Sequence, residues 1–282
     1  MTTSAFPVDG VVDAHAHLMP DRLLVAIREA LNDALGWEFD HPTDRNTIEA
    51  VLYEHGVERY IALPYAHKPG IAADLNDWLL AEARNSEMCI PFATVHPADD
   101  VQAVVEAAFE DGARGLKFQC PVQNVAPDDS RLDPAYELCV EYDRPVLHHA
   151  GTAPMFEDSP HVGIERFQRF RERFPAVRAC CAHMGTFEHD AFIETARADE
   201  NVYLDTSFAM GTVADRYLEF DPLSIDDAVF EDLAGRIMYG SDYPNVPHSY
   251  EREYEGLVRR PLSESTFEAL FRGAAERFLG EA

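Results

Sequence analysis

His15 and His17 stand one residue apart in Val11-Val12-Asp13-Ala14-His15-Ala16-His17. Val-Val-Asp-Ala reads as the end of a strand, where side chains alternate with a period of two. Both imidazoles therefore point to one side, close enough to hold a single metal ion. Imidazole is the usual protein ligand for zinc and related divalent ions. Two nearby histidines carry little alone; the weight comes from polar residues at the ends of later apolar runs. These are Gly115-Leu116-Lys117-Phe118-Gln119, Pro145-Val146-Leu147-His148-His149-Ala150-Gly151, Cys180-Cys181-Ala182-His183-Met184-Gly185 and Tyr239-Gly240-Ser241-Asp242-Tyr243-Pro244. Only one of His148 and His149 can face the same interior, because neighbours in a strand point oppositely.

Eight apolar, strand-like runs can be read along the chain, at 11–17, 60–64, 89–95, 115–119, 145–151, 178–185, 202–207 and 237–244. Amphipathic stretches separate them. The clearest places Val101, Val104, Val105, Ala108 and Phe109 on one helical face, with Asp99 or Asp100 to cap its start and Gly112 to end it. Another starts at the cap-and-proline pair Asp133-Pro134. A third carries Phe167, Phe170 and Phe174 at core spacing, and the last spans 263–279. Alternation of this kind fits a doubly wound open sheet or a (β/α)8 TIM barrel. Histidine, lysine or aspartate ends runs one, four, five, six and eight, and only a closed barrel brings those ends to one mouth. The reading is a single barrel domain over 1–282, with the longer connection 208–224 as a lid or small extra helix over the mouth.

The charge is lopsided: 51 acidic residues against 23 basic, a formal net charge of -28. The acids are spread along the chain and read as an acidic surface, which repels nucleic acid and anionic membranes. Lysine occurs only at Lys68 and Lys117. An acidic, lysine-poor surface resembles that of proteins from salt-loving organisms, where salt screens self-repulsion. No apolar run reaches the ~20 residues of a membrane span, and the N-terminus lacks the features of a signal peptide, so a cytoplasmic location is expected. Cys89, Cys120, Cys139, Cys180 and Cys181 show no CxxC spacing and read as reduced, mostly buried thiols. Placing one of two lysines inside a barrel strand is costly unless it is paired or ligated. A functional role for Lys117 is therefore expected.

The ordered segments Asp13-Ala14-His15-Ala16-His17, Gly115-Leu116-Lys117-Phe118, 145–151, Ala182-His183-Met184-Gly185 and Gly240-Ser241-Asp242-Tyr243-Pro244 resemble the amidohydrolase superfamily. The nearest branch is amidohydrolase-2, which includes aminocarboxymuconate-semialdehyde decarboxylase and related metal-dependent hydrolases. The resemblance implies a divalent ion, zinc first, held by His15, His17, His149 and Asp242. It selects His149 over His148, since the family histidine precedes a small residue and glycine. It implies an acid/base role for His183, a proton-accepting role for Asp242, and a homodimer. It leaves Lys117 two roles: a carboxylated bridge to a second metal, or a partner for substrate. Gln119, where the family often has histidine, weakens the two-metal case. A metal so held acidifies bound water for hydrolysis of an amide, lactone or other ester. Non-oxidative decarboxylation of a small unsaturated or aromatic acid is the alternative.

Other polar residues carry weaker expectations. His148 faces outward as a core histidine. His96, His67 and Lys68 follow strands three and two and are candidates for substrate contact. Asp205 ends strand seven and can orient a ligand. His41, His55, His161, His189 and His248 read as surface residues.

Overall fold

The computed structural model describes residues 6–281. Eight strands run through it: β1 Val11–Ala16, β2 Val57–Ala62, β3 Cys89–Pro91, β4 Leu116–Phe118, β5 Val146–His148, β6 Ala179–Cys181, β7 Val202–Asp205 and β8 Ile237–Met238. All pair in parallel, in the orders β1-β2-β3 and β4-β5-β6-β7-β8. Backbone hydrogen bonds join the two sets at both seams. Past β3, Ala93 N–H donates to Gly115 O and Lys117 N–H to Ala93 O, both at 2.8 Å. Past β8, Ala14 N–H donates to Tyr239 O at 2.8 Å and His17 N–H to Tyr243 O at 2.7 Å. The ring is thereby closed into a (β/α)8 barrel, with helices between successive strands.

Strand register sorts the side chains. Lys117, Leu147, Cys180 and Tyr203 are matched across β4 to β7 and form one inward layer. Leu147, Cys180 and Tyr203 pack there with Val12, Ile61, Phe92 and Met238, under Ala274 and Phe278 of the last helix. Phe118, His148, Cys181 and Leu204 are matched one position on and face the helices. On β1, Asp13 pairs with Tyr60 and Ala16 with Ala62, three steps against two. This bulge switches the inward phase. Val12 and Ala14 fill the barrel, while His15 and His17 turn to its mouth.

The helices follow most of their signals, but Asp133, expected as a cap, is already inside helix Asp133–Glu141, whose N-cap is Leu132 with no side-chain cap bond. Helix Val101–Glu110 begins where Asp100 Oδ1 accepts Ala103 N–H, and the chain leaves it through Gly112 at φ 113°. The stretch expected as one helix over 263–279 divides into Glu264–Glu268, a wide π turn Ala269–Gly273, and Ala274–Phe278. The wide turn frees Leu270 O to accept Tyr239 N–H at 2.8 Å, tying the helix to β8. The expected strands are also too long: β4 to β8 have two to four residues each. His149, His183 and Asp242 consequently stand in turns beyond their strands. The 208–224 connection holds one short helix, Ala214–Leu218, and a 3-10 turn, Pro222–Ser224. Among the described residues no helix is long and apolar enough to cross a membrane.

Candidate metal centre

His15 and His17 face the mouth of the barrel with their outer nitrogens committed. His17 Nδ1 lies 2.7 Å from Leu63 O, an atom that can only accept, so the proton sits on Nδ1. His15 Nδ1 donates to Asp205 Oδ2 at 2.9 Å. In the neutral imidazoles each Nε2 keeps a lone pair, that of His15 facing Lys117 Nζ at 3.4 Å. Both lone pairs converge on Asp242 Oδ1, at 2.8 Å from His17 and 3.3 Å from His15. Two imidazole lone pairs against a carboxylate oxygen repel one another unless a cation stands among them. These three residues meet the spacing of a metal site, and their donor chemistry fits a divalent ion. His15, His183 and Asp205 also cluster tightly, but there the nitrogens and oxygens already satisfy one another, as a support for the ligands.

That support is built from β7 and its turn. Asp205 Oδ1 accepts His183 N–H at 3.0 Å, Ser207 N–H at 3.2 Å and Ser207 O–H at 2.5 Å. Burial pushes the Asp205 carboxyl up, but His15, His183 and Ser207 outweigh it and hold it below the usual range. Burial likewise opposes ionisation of Asp242, and His15 and His17 overcome it. His15 is pushed down by burial and Lys117, yet Asp205 and Asp242 keep it above its ordinary value. Burial lowers His17. A similar bracket fixes the opposite wall. Asp13 accepts from Ser241 N–H at 3.1 Å, Ser241 O–H at 2.5 Å and Tyr250 O–H at 2.9 Å, holding the turn that carries Asp242.

His183 and His149 form the second half of the floor. His183 adopts left-handed backbone at φ 57°, as does Asp242 at φ 57°; such geometry is strained and recurs at functional sites. Ser207 O takes the proton of His183 Nδ1 at 2.9 Å, so His183 Nε2 accepts from His149 Nδ1 at 3.1 Å. His149 Nε2 is left as a lone pair. Burial lowers the His183 imidazole to about 4. Burial and His183 hold His149 well below its ordinary value. The pocket above is lined by His17, His149, His183 and Asp242, with otherwise mostly apolar walls. His149 lies outside the tight cluster of His15, His17 and Asp242.

Lys117 is fully buried beneath this floor, Nζ 3.4 Å from His15 Nε2, and does not line the pocket. Burial pushes its ammonium down, opposed by Asp205 and Asp242. His148 packs among Phe118, Tyr136, Phe167 and Phe170, away from the mouth, as its strand phase required. His67 and Lys68 are exposed, and neither they nor His96 line the pocket. His248 corrects the surface expectation: its side chain is 6 % exposed and pairs with the buried Glu253. His41 is also drawn inward, its Nε2 2.7 Å from His248 O. Phe208 and Leu218 of the long connection form part of the pocket wall. Sequence reasoning gave no role to Asp13, Ser207, Ser241 or Asn245. Asp13, an acid within an apolar strand two residues before His15, was the available signal.

The family model for amidohydrolases matches residues 12–280. No curated protein matches. An uncharacterised TIM-barrel protein from Bordetella bronchiseptica is similar at TM-score 0.74 and 20% identity, over 96% of this chain and 99% of that one. 5-Carboxyvanillate decarboxylase from Novosphingobium aromaticivorans, solved with manganese and 4-hydroxy-3-methoxy-5-nitrobenzoic acid, is similar at TM-score 0.64 and 16% identity, over 99% and 98%. A candidate 2-pyrone-4,6-dicarboxylic acid hydrolase from Pseudomonas putida gives TM-score 0.66 and 17% identity, over 96% and 98%. With a match over nearly its whole length, the chain belongs to the amidohydrolase-2 family.

Proposed function

We propose that this protein is a metal-dependent hydrolase of a small carbonyl compound, an amide, lactone or other ester. One divalent ion, zinc first, would be held by His15, His17 and Asp242, with His149 Nε2 completing the set. The ion supplies Lewis acidity and a more acidic water. Asp242 and His183 supply proton transfer. With its imidazole lowered to about 4, His183 is neutral at physiological pH, and its Nε2 takes a proton once it releases the bond from His149 Nδ1. Asp205 and Ser207 hold His15 and His183 in the tautomers these roles need. The apolar wall excludes water from the reacting group.

The observation that carries this reading is the pocket itself: a histidine–carboxylate floor under walls with no lysine or arginine. Such a wall suits a neutral substrate body. Lys117 is placed to set the charge around His15, and its carboxylation with a second metal is the variant reading. Decarboxylation of a small aromatic acid is the second reading, favoured by the aromatic wall of Trp37, Phe156 and Phe208. A panel of zinc-loaded assays decides between them. Hydrolysis of esters, lactones or amides, abolished in His183→Ala, supports the first. Carbon dioxide release from benzoic acids without any hydrolysis overturns it.

A further inference from the structure

Asn245 is 6 % exposed, and its Oδ1 is buried with no hydrogen-bond partner among the described residues. Its backbone is fixed, since its N–H donates to Asp242 O at 2.9 Å, but its carbonyl oxygen is unclaimed. Buried polar atoms in native proteins are nearly always paired, so an orphan calls for a use. The other buried orphans, such as His148 Nδ1, Tyr239 Oη and His248 Nδ1, belong to residues away from the pocket lining. Asn245 is the orphan-bearing residue that lines the pocket.

The rest of the wall sharpens the point. Leu31, Val122, Phe156, Phe208 and Leu218 offer apolar surface to a ligand's body, with Tyr65, Gln119 and Thr186 as further polar residues of the lining. The cavity measures about 100 Å³, less than the ~150 Å³ cavity that takes benzene, so it admits no body larger than a single ring. The histidine–carboxylate floor and Asn245 both line this one cavity. Asn245 Oδ1 is hidden from solvent as the side chain stands, so it reaches a ligand by rotation about the last side-chain bond, which exchanges the two amide atoms.

We propose that Asn245 orients the substrate by accepting a hydrogen bond from a hydroxyl or amide N–H carried beside the group held at the floor. The substrate class is then a single-ring compound with one metal-binding carbonyl or carboxyl group and one hydrogen-bond donor. The assignment rests on the metal-centre reading above. A site built to pair a donor discriminates against the analogue that lacks it, because the buried acceptor is then left unpaired.

Isothermal titration of zinc-loaded protein with benzoate and its three hydroxy isomers tests this. In the wild type at least one hydroxy isomer binds about tenfold more tightly than benzoate. Asn245→Leu removes that advantage, bringing the affinity ratio of hydroxy isomer to benzoate down to about one. Asn245→Ala serves the same purpose if leucine prevents folding. A merely structural residue would shift all four ligands together. Zinc content is measured on the same samples. Zinc bound without hydroxyl preference, or a preference that survives in both variants, overturns the Asn245 assignment alone. Absence of zinc overturns the metal-centre reading and this inference with it.

Discussion

His17 Nε2 lies 2.8 Å from Asp242 Oδ1, although Leu63 O already takes the only proton a neutral imidazole has. Burial lowers the pKa of His17, so a second proton is disfavoured. The pair therefore brings two electron-rich atoms to hydrogen-bond distance with no hydrogen between them. His15 Nε2 lies 3.3 Å from the same oxygen, but there the conflict is eased, since Lys117 Nζ stands 3.4 Å from that nitrogen and Asp205 and Asp242 hold the His15 pKa above its ordinary value. A cation between His17 and Asp242 resolves the conflict there.

We predict about one tightly bound divalent ion per chain, by elemental analysis of protein purified without chelator. His17→Ala and Asp242→Ala each lose it. Lys117→Ala retains it in the one-metal arrangement. About two ions, one of them lost in Lys117→Ala, would instead establish the carboxylated bridge. No metal in any loading condition would falsify the centre. Occupancy should also fall with acid, because protons compete for the same nitrogens.

Asp205 tests whether the support beneath the ligands matters. It holds His15 Nδ1 through one oxygen and the His183 turn through the other. Asp205→Asn keeps the shape but loses the charge that fixes the His15 tautomer. We expect roughly 10–100-fold weaker metal binding with the fold retained, as for such partners elsewhere. Competition against a fluorescent chelator measures it. Wild-type affinity in a folded Asp205→Asn would mean that His15 needs no such partner.

His148 gives a pH-dependent prediction independent of the metal. Tyr136 O–H donates to Pro127 O, so His148 Nε2–H donates to Tyr136, and His148 Nδ1 faces no partner. Burial lowers its pKa to about 3 from an ordinary 6.5. The folded-state value is depressed, so the unfolded chain takes the proton first. Stability is complete above the unfolded value and is lost as pH falls from 6.5 towards 3. One such group contributes on the order of 3 kcal/mol of loss between about pH 6.5 and 4. Urea titrations should show His148→Phe with a flatter acid limb than the wild type. Parallel limbs would show that the ring is already charged when folded.

The barrel was legible because eight apolar runs alternate with helical periods and because polar residues end five of those runs. His15, His17 and Asp242 were legible from type and order. What was not legible is direction. The β1 bulge between Asp13 and Ala16 lets Ala14 and His15 both face inward, which a strict period of two forbids. His183 is aimed by a left-handed turn, not by strand phase. Asp13, Ser207 and Ser241 act through hydrogen bonds across 24 to 228 positions of sequence, which no local pattern encodes. His248 read as surface because its partner Glu253 looks like one more acid on an acidic helix.

Gly151 marks where the turns that carry His149 and His183 touch. A Cβ there would stand 2.5 Å from Gly185 O and 2.7 Å from Gly185 Cα, both backbone atoms that no side-chain rotation can clear. His149 and His183 each sit two residues from this contact. Gly151→Ala must therefore push the β5 and β6 turns apart, and overpacking of this kind costs about 1–3 kcal/mol. Gly112→Ala is the control, with φ 113° but open space around it, so only backbone strain applies. We expect Gly151→Ala to lower stability and also weaken metal or ligand binding at the floor. Gly112→Ala should lower stability alone. Urea unfolding with zinc titration on both variants separates the effects. Unaltered binding in a folded Gly151→Ala would show that the positions of His149 and His183 do not depend on the contact between their turns.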